Sequence, residues 1–237
     1  DAPYNYFFFF FLKTGLAHDS AQVLSRMKHH TSRRRPAPPA HGAEETRQRI
    51  SREAARIMAE DGVHDFHAAK RKAAERLNLP DARHLPSNQE IERALAEHLQ
   101  LFHARDLPRT LQRLRRLAVE AMRLLERFEP RLVGALLSGN VTRFSGIQLH
   151  ITAATPELVA LFLREQRIPC EESSKRLRFG GDRSEAVPVY GFLAEDVPVE
   201  VCVFSPTAAR EAPLSPVDGR PMKRAGLKEV EASLGTA

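Results

Sequence analysis

The sequence predicts an α+β protein: a helical N-terminal region followed by a small mixed β-sheet domain. The period of the hydrophobic pattern carries this prediction. Between residues 44 and 128, apolar residues recur every three or four positions, as on one face of a helix. After Pro130 they come in short runs or alternate with polar residues, as they do in strands. With 237 residues, of which 42% are hydrophobic and 28% charged, the chain can bury such a core.

Four helices are predicted in the first of these regions. Turn-forming residues and prolines mark their ends, and a serine followed three residues later by a glutamate marks one beginning, since the two side chains satisfy unpaired amides reciprocally. In chain order these signals are the Asp61-Gly62 turn, Pro80, the capping-box pair Ser87 and Glu90, and the limits Pro108 and Phe128 of the longest helix.

Five strands and one helix are predicted between Pro130 and residue 210. The strands are expected at 132–137, 147–151, 176–179, 187–193 and 197–204, and the helix at 156–165. Alternation along the last strand predicts that its valines share one face, packed on helices, while Glu200 and Cys202 share the other.

Composition divides the chain into four parts. Residues 1–43 form a basic, proline-rich tail that is predicted to be disordered and dispensable. A helical region at 44–106, the sheet domain at 107–210, and a C-terminal tail at 211–237 with a short helix at 227–234 follow. The first residue is Asp1, and Met27 is a candidate for the native start, in which case residues 1–26 are upstream sequence read in frame.

Charge and cysteine content bound the partners. Cys170 and Cys202 are too few for a disulfide framework or a zinc knuckle, which favours a cytoplasmic location. The phenylalanine run at 7–11 is shorter than the roughly 20 residues that span a bilayer, so no membrane partner is expected. The formal net charge of +6 is concentrated in residues 1–128. Two interpretations stay open there: solvated arginine faces, or a weak, salt-sensitive contact with nucleic acid.

In one segment, residues 134–149, the spacing of glycine, serine and aliphatic residues indicates a possible function. Gly134, Gly139, Ser145, Ile147 and Leu149 are in register with a known signature: a glycine after a strand, a second glycine five residues later, and an alternating strand that follows a serine. This pattern resembles the DNA-polymerase-β-like nucleotidyltransferases, over roughly residues 110–204. The resemblance implies a mixed sheet of the nucleotidyltransferase type and a cleft for a nucleotide-like ligand.

The same resemblance implies a degenerate active site. The two adjacent carboxylates of the family would fall at Gly146 and Gln148, and the serine after its first glycine would fall at Ala135. Only Glu200 occupies the place of the third carboxylate. One carboxylate cannot hold the two Mg²⁺ ions that neutralise a transferring phosphoryl group, so we expect no catalysis, no Mg²⁺ and no other cofactor.

The resemblance also implies a set of ligand-binding residues. Arg143 lies in the loop that approaches phosphate in the family, and we expect it to contact Glu200. His150 shares its side of the strand with Gln148, so a contact with solvent or with the cleft is expected. The candidate ligand-binding residues are Ser138, Gly139, Arg143, Ser145, Gln148 and Glu200.

Three alternatives remain open from the sequence. The segment 134–149 is also consistent with a plain strand–turn–strand whose glycines serve only the turn. Chains similar to this one sometimes carry the name UDP-N-acetylmuramate–alanine ligase, but no G-x-x-x-x-G-K-[ST] phosphate loop is present for that reaction. A basic nucleic-acid-associated protein is the third, although the basic segments carry no RNA-binding motif and no interleaved aromatic residues.

Overall fold

A computed structural model describes residues 40–79, 85–181 and 183–234, all of which fall within one compact unit. Residues 1–39 of the predicted tail and the predicted stop at Pro80 lie outside these ranges. The helices and strands follow in the order α1 Ala40–Asp61, α2 Phe66–Arg76, α3 Asn88–Phe102, α4 Leu107–Leu124, β1 Arg131–Val133, α5 Ala135–Ser138, β2 Ile147–Thr152, α6 Pro156–Glu165, β3 Glu171–Arg178, β4 Ser184–Ala194, β5 Val197–Phe204 and α7 Leu227–Leu234. The chain is therefore α+β, as predicted.

Helices α1, α2 and α3 pack on one another around a core of their own. Its fully buried members include Ile50, Ile57 and Ile91, whose spacing predicted the inward faces. The capping box at the beginning of α3 is present, since the Ser87 hydroxyl accepts from the Glu90 amide and the Glu90 carboxylate accepts from the Ser87 amide. Helix α1 already begins at Ala40, so the predicted tail boundary at residue 43 is too late.

Strands β1 to β5 form one mixed sheet in the order β1-β2-β5-β4-β3. Only β2 and β5 run parallel, and all the other neighbours are antiparallel. A parallel pair requires a long crossover, which here contains α6, β3 and β4. The central position of β2 and β5 explains why both are almost wholly buried.

The first face of the sheet, which we call the helix-covered face, is apolar. Leu149 on β2 and Val201 on β5 are fully buried in the main core, together with Leu117 of α4, Val159 of α6 and Val230 of α7. All four valines predicted to share a face of β5 belong to this core: Val197, Val199, Val201 and Val203. Burial of this face against three helices holds β1, β2, β4 and β5 in place, whereas the edge strand β3 contributes no residue to this core.

The predicted strand at 132–137 is only half correct. Strand β1 ends at Val133, and Gly134 follows with φ +78°, a backbone conformation that favours glycine. Residues 135–138 then form the short helix α5, ended by Gly139 at φ +83°. The run of apolar residues did not distinguish a strand from a buried helical turn, because both need the same composition.

The C-terminal segment is part of the fold and not a loose tail. Ala225 exchanges backbone hydrogen bonds with Leu132, which extends the sheet beyond β1. Leu214 donates its amide to the carbonyl of Arg178 at 2.7 Å. Helix α7, predicted at 227–234, buries Val230 in the main core. None of the described helices has the length and apolar character needed to cross a membrane.

Candidate functional site

The second face of the sheet, which we call the polar face, carries the residues of chemical interest. Gln148 on β2 and Glu200 on β5 are direct partners in the parallel register, and His150 and Cys202 are the next pair along. Paired residues point to the same side of a sheet, so Gln148 and Glu200 share one face, as the resemblance implied. The Cys202 thiol is buried, and burial raises its pKa to about 12, which suits a core residue and not a nucleophile.

Glu200 is half-exposed and forms an ion pair. Its Oε1 accepts a hydrogen bond from Lys175 Nζ of β3 at 2.6 Å. Both side chains retain about two-fifths of their exposure, so water screens the pair. The ammonium group of Lys175 thus balances the negative charge of the Glu200 carboxylate, which a metal ion would balance in a metal-binding carboxylate site. The sequence did not indicate this partner, because Lys175 lies on an exposed strand between other polar residues.

Arg143 is not the partner of Glu200. Its guanidinium donates to the carbonyl of Glu60 at 3.1 Å and lies 4.6 Å from the centre of the Phe144 ring. The Phe144 ring in turn packs against Gly62, at the end of α1. The loop before β2 therefore connects the helical region to the sheet, and Arg143 contributes one of the contacts between them.

The serines and Gly139 are also engaged in local structure. The Ser145 hydroxyl accepts from the Thr142 amide at 2.9 Å and closes the turn before β2. The Ser138 hydroxyl donates to the Ala135 carbonyl at 3.1 Å, and the Gly139 amide donates to the same carbonyl. Of the six candidate residues, the structure thus pairs only Gln148 with Glu200.

Two glycines show how tightly the strand junction is packed. A Cβ added to Gly146 would lie 2.7 Å from the Pro198 carbonyl oxygen and 3.1 Å from Pro198 Cγ. A Cβ on Gly134 would collide with the Gln148 amide oxygen. The first carboxylate position of the resembled signature therefore has no space for a side chain, and the glutamine covers the first glycine.

A cavity of about 580 Å³ opens at the carboxyl ends of β2 and β5. Its lining includes three arginines that the sequence reasoning did not select: Arg131 of β1, Arg210 after β5, and Arg224 from the C-terminal segment. His150 lines the same cavity beside Arg131, which is its partner in the β1–β2 register. The arginines are far apart in the sequence, which therefore did not predict that they meet. His150 was the one residue of this cavity for which the sequence predicted a contact with a cleft, because it alternates with Leu149.

His150 is buried, with 4% of its surface exposed, and its ring packs at a tilt against the Phe204 ring, with the ring centroids 4.8 Å apart. Its Nδ1 has no hydrogen-bond partner among the described residues. Burial first, and then the positive charges of Arg224 and Lys175, lower the pKa of His150 to about 4. The imidazole is therefore neutral at pH 7.

Arg224 is partly buried, and its pKa is lowered by burial and by the neighbouring Arg131. One of its guanidinium nitrogens donates to the Ala209 carbonyl at 2.9 Å. No carboxylate of the described residues lies within 4 Å of the guanidinium nitrogens of Arg131, Arg210 or Arg224. The lining of the cavity thus carries three arginines and one carboxylate, that of Glu129, so its net charge is positive.

Within the described ranges, no cluster of three or more histidine, cysteine, aspartate or glutamate side chains has the arrangement that would hold a metal ion. No protein-family model, curated protein or solved structure matches the chain.

Proposed function

We propose that this chain is a nucleotidyltransferase-like protein that binds a nucleotide-like small molecule on its polar face without catalysing Mg²⁺-dependent transfer. The observation that carries the proposal is the direct pairing of Gln148 with Glu200 on adjacent parallel strands. These are the second and third carboxylate positions of the resembled signature. They meet on one face of a mixed sheet, beside the strand–glycine–helix segment that contains Gly134.

The loss of catalysis follows from three features of the same site. Gly146 supplies no ligand and has no space for one next to Pro198. Gln148 offers a neutral amide oxygen, which is a poor ligand for Mg²⁺. Glu200 is already paired with Lys175. Two-metal phosphoryl transfer needs several carboxylates to hold both ions, and this arrangement supplies one.

Binding can persist where catalysis is lost, because the two have different requirements. The Gln148 amide can exchange hydrogen bonds with a base or a ribose, and Lys175 can contact a phosphate. An extended surface of this kind positions a ligand by hydrogen bonds and charge, with no need for a metal.

The proposal is tested by separating transfer from binding. Incubation with labelled nucleoside triphosphates, Mg²⁺ and candidate acceptors should leave no labelled product. Titration calorimetry with ATP should show binding that Gln148→Ala weakens severalfold. Gln166→Ala, at the exposed end of α6, removes the same side chain elsewhere and should leave the affinity unchanged.

Two results would overturn the proposal. Labelled product that disappears in Glu200→Ala would show that the remaining carboxylate still supports catalysis. Equal ATP affinity in the wild type and Gln148→Ala would show that the polar face beside Glu200 is not the binding surface.

A further inference from the structure

We propose that the arginine-lined cavity at the carboxyl ends of β2 and β5 binds a small molecule through a phosphate group. This inference goes beyond the function proposed above, because it uses other residues. Arg131, Arg210 and Arg224 line the cavity, whereas Gln148 and Glu200 are not among its lining residues. The two sites can therefore be tested separately.

The first argument is the charge of the cavity. Arg131 and Arg224 come close enough for the first to lower the pKa of the second, which means that their like charges repel. Neither forms an ion pair within 4 Å with a described carboxylate, and the carboxylate beside Arg131, that of Glu229, accepts a hydrogen bond from the Gly226 amide. A bound anion relieves such repulsion. A planar guanidinium also presents paired N–H donors that match the oxygens of a phosphate group, which favours arginine at phosphate sites.

The second argument is how the fold holds these arginines. Arg131 is on β1, next to His150 in the register, and its guanidinium packs beside Gly226. Arg224 lies one residue before the Ala225 bridge to β1, and its bond to the Ala209 carbonyl fixes its direction. The C-terminal segment thus places Arg224 close to Arg131. The restraint of Arg224 before binding reduces the entropy lost when the ligand is captured.

The third argument is the size and chemistry of the remaining lining. A volume of about 580 Å³ lies within the range of about 300–1,000 Å³ that is typical of small-molecule sites. The Phe204 ring and the neutral His150 imidazole provide an apolar wall with one polar edge. Glu129 is the carboxylate of the lining, and it can accept a hydrogen bond from a hydroxyl group of the ligand. The favoured ligand class is therefore a phosphorylated compound with free hydroxyl groups, such as a sugar phosphate or a nucleoside monophosphate.

The cavity favours a small molecule over a nucleic-acid strand. Strand binding without sequence preference uses a groove that follows several phosphates, with aromatic rings on which successive bases stack. Here the arginines line one concavity, and the phenyl ring in its lining, that of Phe204, is buried and already packed against His150.

The test measures the affinity of the full chain for AMP and ribose 5-phosphate by titration calorimetry at low salt, with adenosine and ribose as the uncharged counterparts. Both phosphorylated probes should bind and both uncharged ones should not. Arg131→Gln should weaken binding about tenfold, which corresponds to one lost charge-assisted contact. The Arg131 side chain is exposed and takes part in none of the hydrogen bonds or ion pairs of the described residues, so this substitution should leave the fold intact. Its matched control is Arg105→Gln, which removes an exposed arginine from the α3–α4 connection.

Each outcome decides the matter. Equal affinity for AMP and adenosine, no binding of either phosphorylated probe, or an equal loss in Arg131→Gln and Arg105→Gln would overturn the proposal. A short single-stranded RNA that binds while AMP and ribose 5-phosphate do not would replace the small molecule with nucleic acid. Glu200→Gln should leave the affinity for ribose 5-phosphate unchanged. A result that contradicts ligand binding at the Gln148–Glu200 pair can therefore be distinguished from one that contradicts phosphate binding in the cavity.

Discussion

The two faces of the β-sheet are built from the same strands but differ in what covers them. Helices cover the first, whereas the polar face has a small apolar cluster around Cys202 and Phe204 beside polar groups that remain partly exposed. On β2, Leu149 is fully buried beneath helices, while its neighbour Gln148 remains partly exposed. On β5, Val199 and Val201 enter the main core, while Glu200 between them reaches Lys175. Successive side chains of a strand point to opposite faces. Neighbouring residues of one strand therefore belong either to the core that maintains the fold or to the surface available for ligands.

This contrast explains where sequence changes are tolerated. The helix-covered face is constrained by volume, because its side chains fill a closed core. The polar face is constrained by charge and by a few close approaches, such as that of Gly146 to Pro198.

The largest expected effect is on the helix-covered face. Leu149→Ala should lower the free energy of unfolding by about 3 kcal/mol, because it removes buried methyl groups from a closed core. Gln148→Ala, one residue away on the polar face, should cost less than about 1 kcal/mol. Urea denaturation of both variants measures the difference. Similar losses in the two variants would contradict the division between the faces.

A close approach at the strand junction should produce the next largest effect. Gly146→Ala places a Cβ within 2.7 Å of the Pro198 carbonyl oxygen, and we expect the resulting overpacking to cost about 2 kcal/mol. Gly191→Ala is the matched control, because an added Cβ there meets nothing within 4 Å. Thermal melting of the two variants gives the comparison. An unchanged melting temperature in Gly146→Ala would mean that the first carboxylate position is open.

The buried histidine of the polar face makes stability depend on pH. The unfolded imidazole takes up a proton below about pH 6.5, whereas folded His150 does so only below about 4. The unfolded state therefore binds more protons between these values, and the folded state loses stability as the pH falls through this window. From pH 6.5 to pH 5 the loss of unfolding free energy attributable to His150 should be about 1.6 kcal/mol.

The measurement compares wild type with His150→Gln by urea denaturation at both pH values. The other titratable groups are common to the two proteins, so their contributions largely cancel in the difference. The stability advantage of the wild type should shrink as the pH falls. An advantage that stays constant between pH 6.5 and pH 5 would mean that His150 is protonated equally in both states.

The helix-covered face was accessible from the sequence because it depends on periodicity. The valines of β5 and the alternation along β2 predicted which side chains pack on the helices, and the structure confirms both. The alternation did not predict that His150 and Phe204, on the other face, are buried as well. The strand at 132–137 was only half correct, since an apolar run alone does not specify a strand.

The polar face was less accessible because it is assembled from residues remote in sequence. The pairing of Gln148 with Glu200 followed from the resemblance, but the Lys175 partner depends on the register of β3 and β4. The cavity joins Arg131 with Arg224, which is separated from it by most of the domain. No local sequence pattern predicts a contact between residues so far apart in the chain. For Arg143 the error was the opposite one: a local motif predicted a contact with Glu200, whereas the side chain binds the Glu60 carbonyl.

The smallest expected effect concerns the ion pair between Lys175 and Glu200. Both groups are partly solvated, so their coupling in a double-mutant cycle of Lys175→Met and Glu200→Gln should be about 0.5 kcal/mol. Salt at 1 M should reduce it further, because the Debye length then falls to about 3 Å. A catalytic carboxylate held for metal binding would behave differently: addition of Mg²⁺ would stabilise the wild type and not Glu200→Gln. We expect Mg²⁺ to shift neither melting temperature, since lysine already neutralises the carboxylate and no second acidic side chain accompanies it in the β2–β5 register. Coupling above about 2 kcal/mol, or stabilisation by Mg²⁺ that requires Glu200, would show that the polar face retains the electrostatics of an active site.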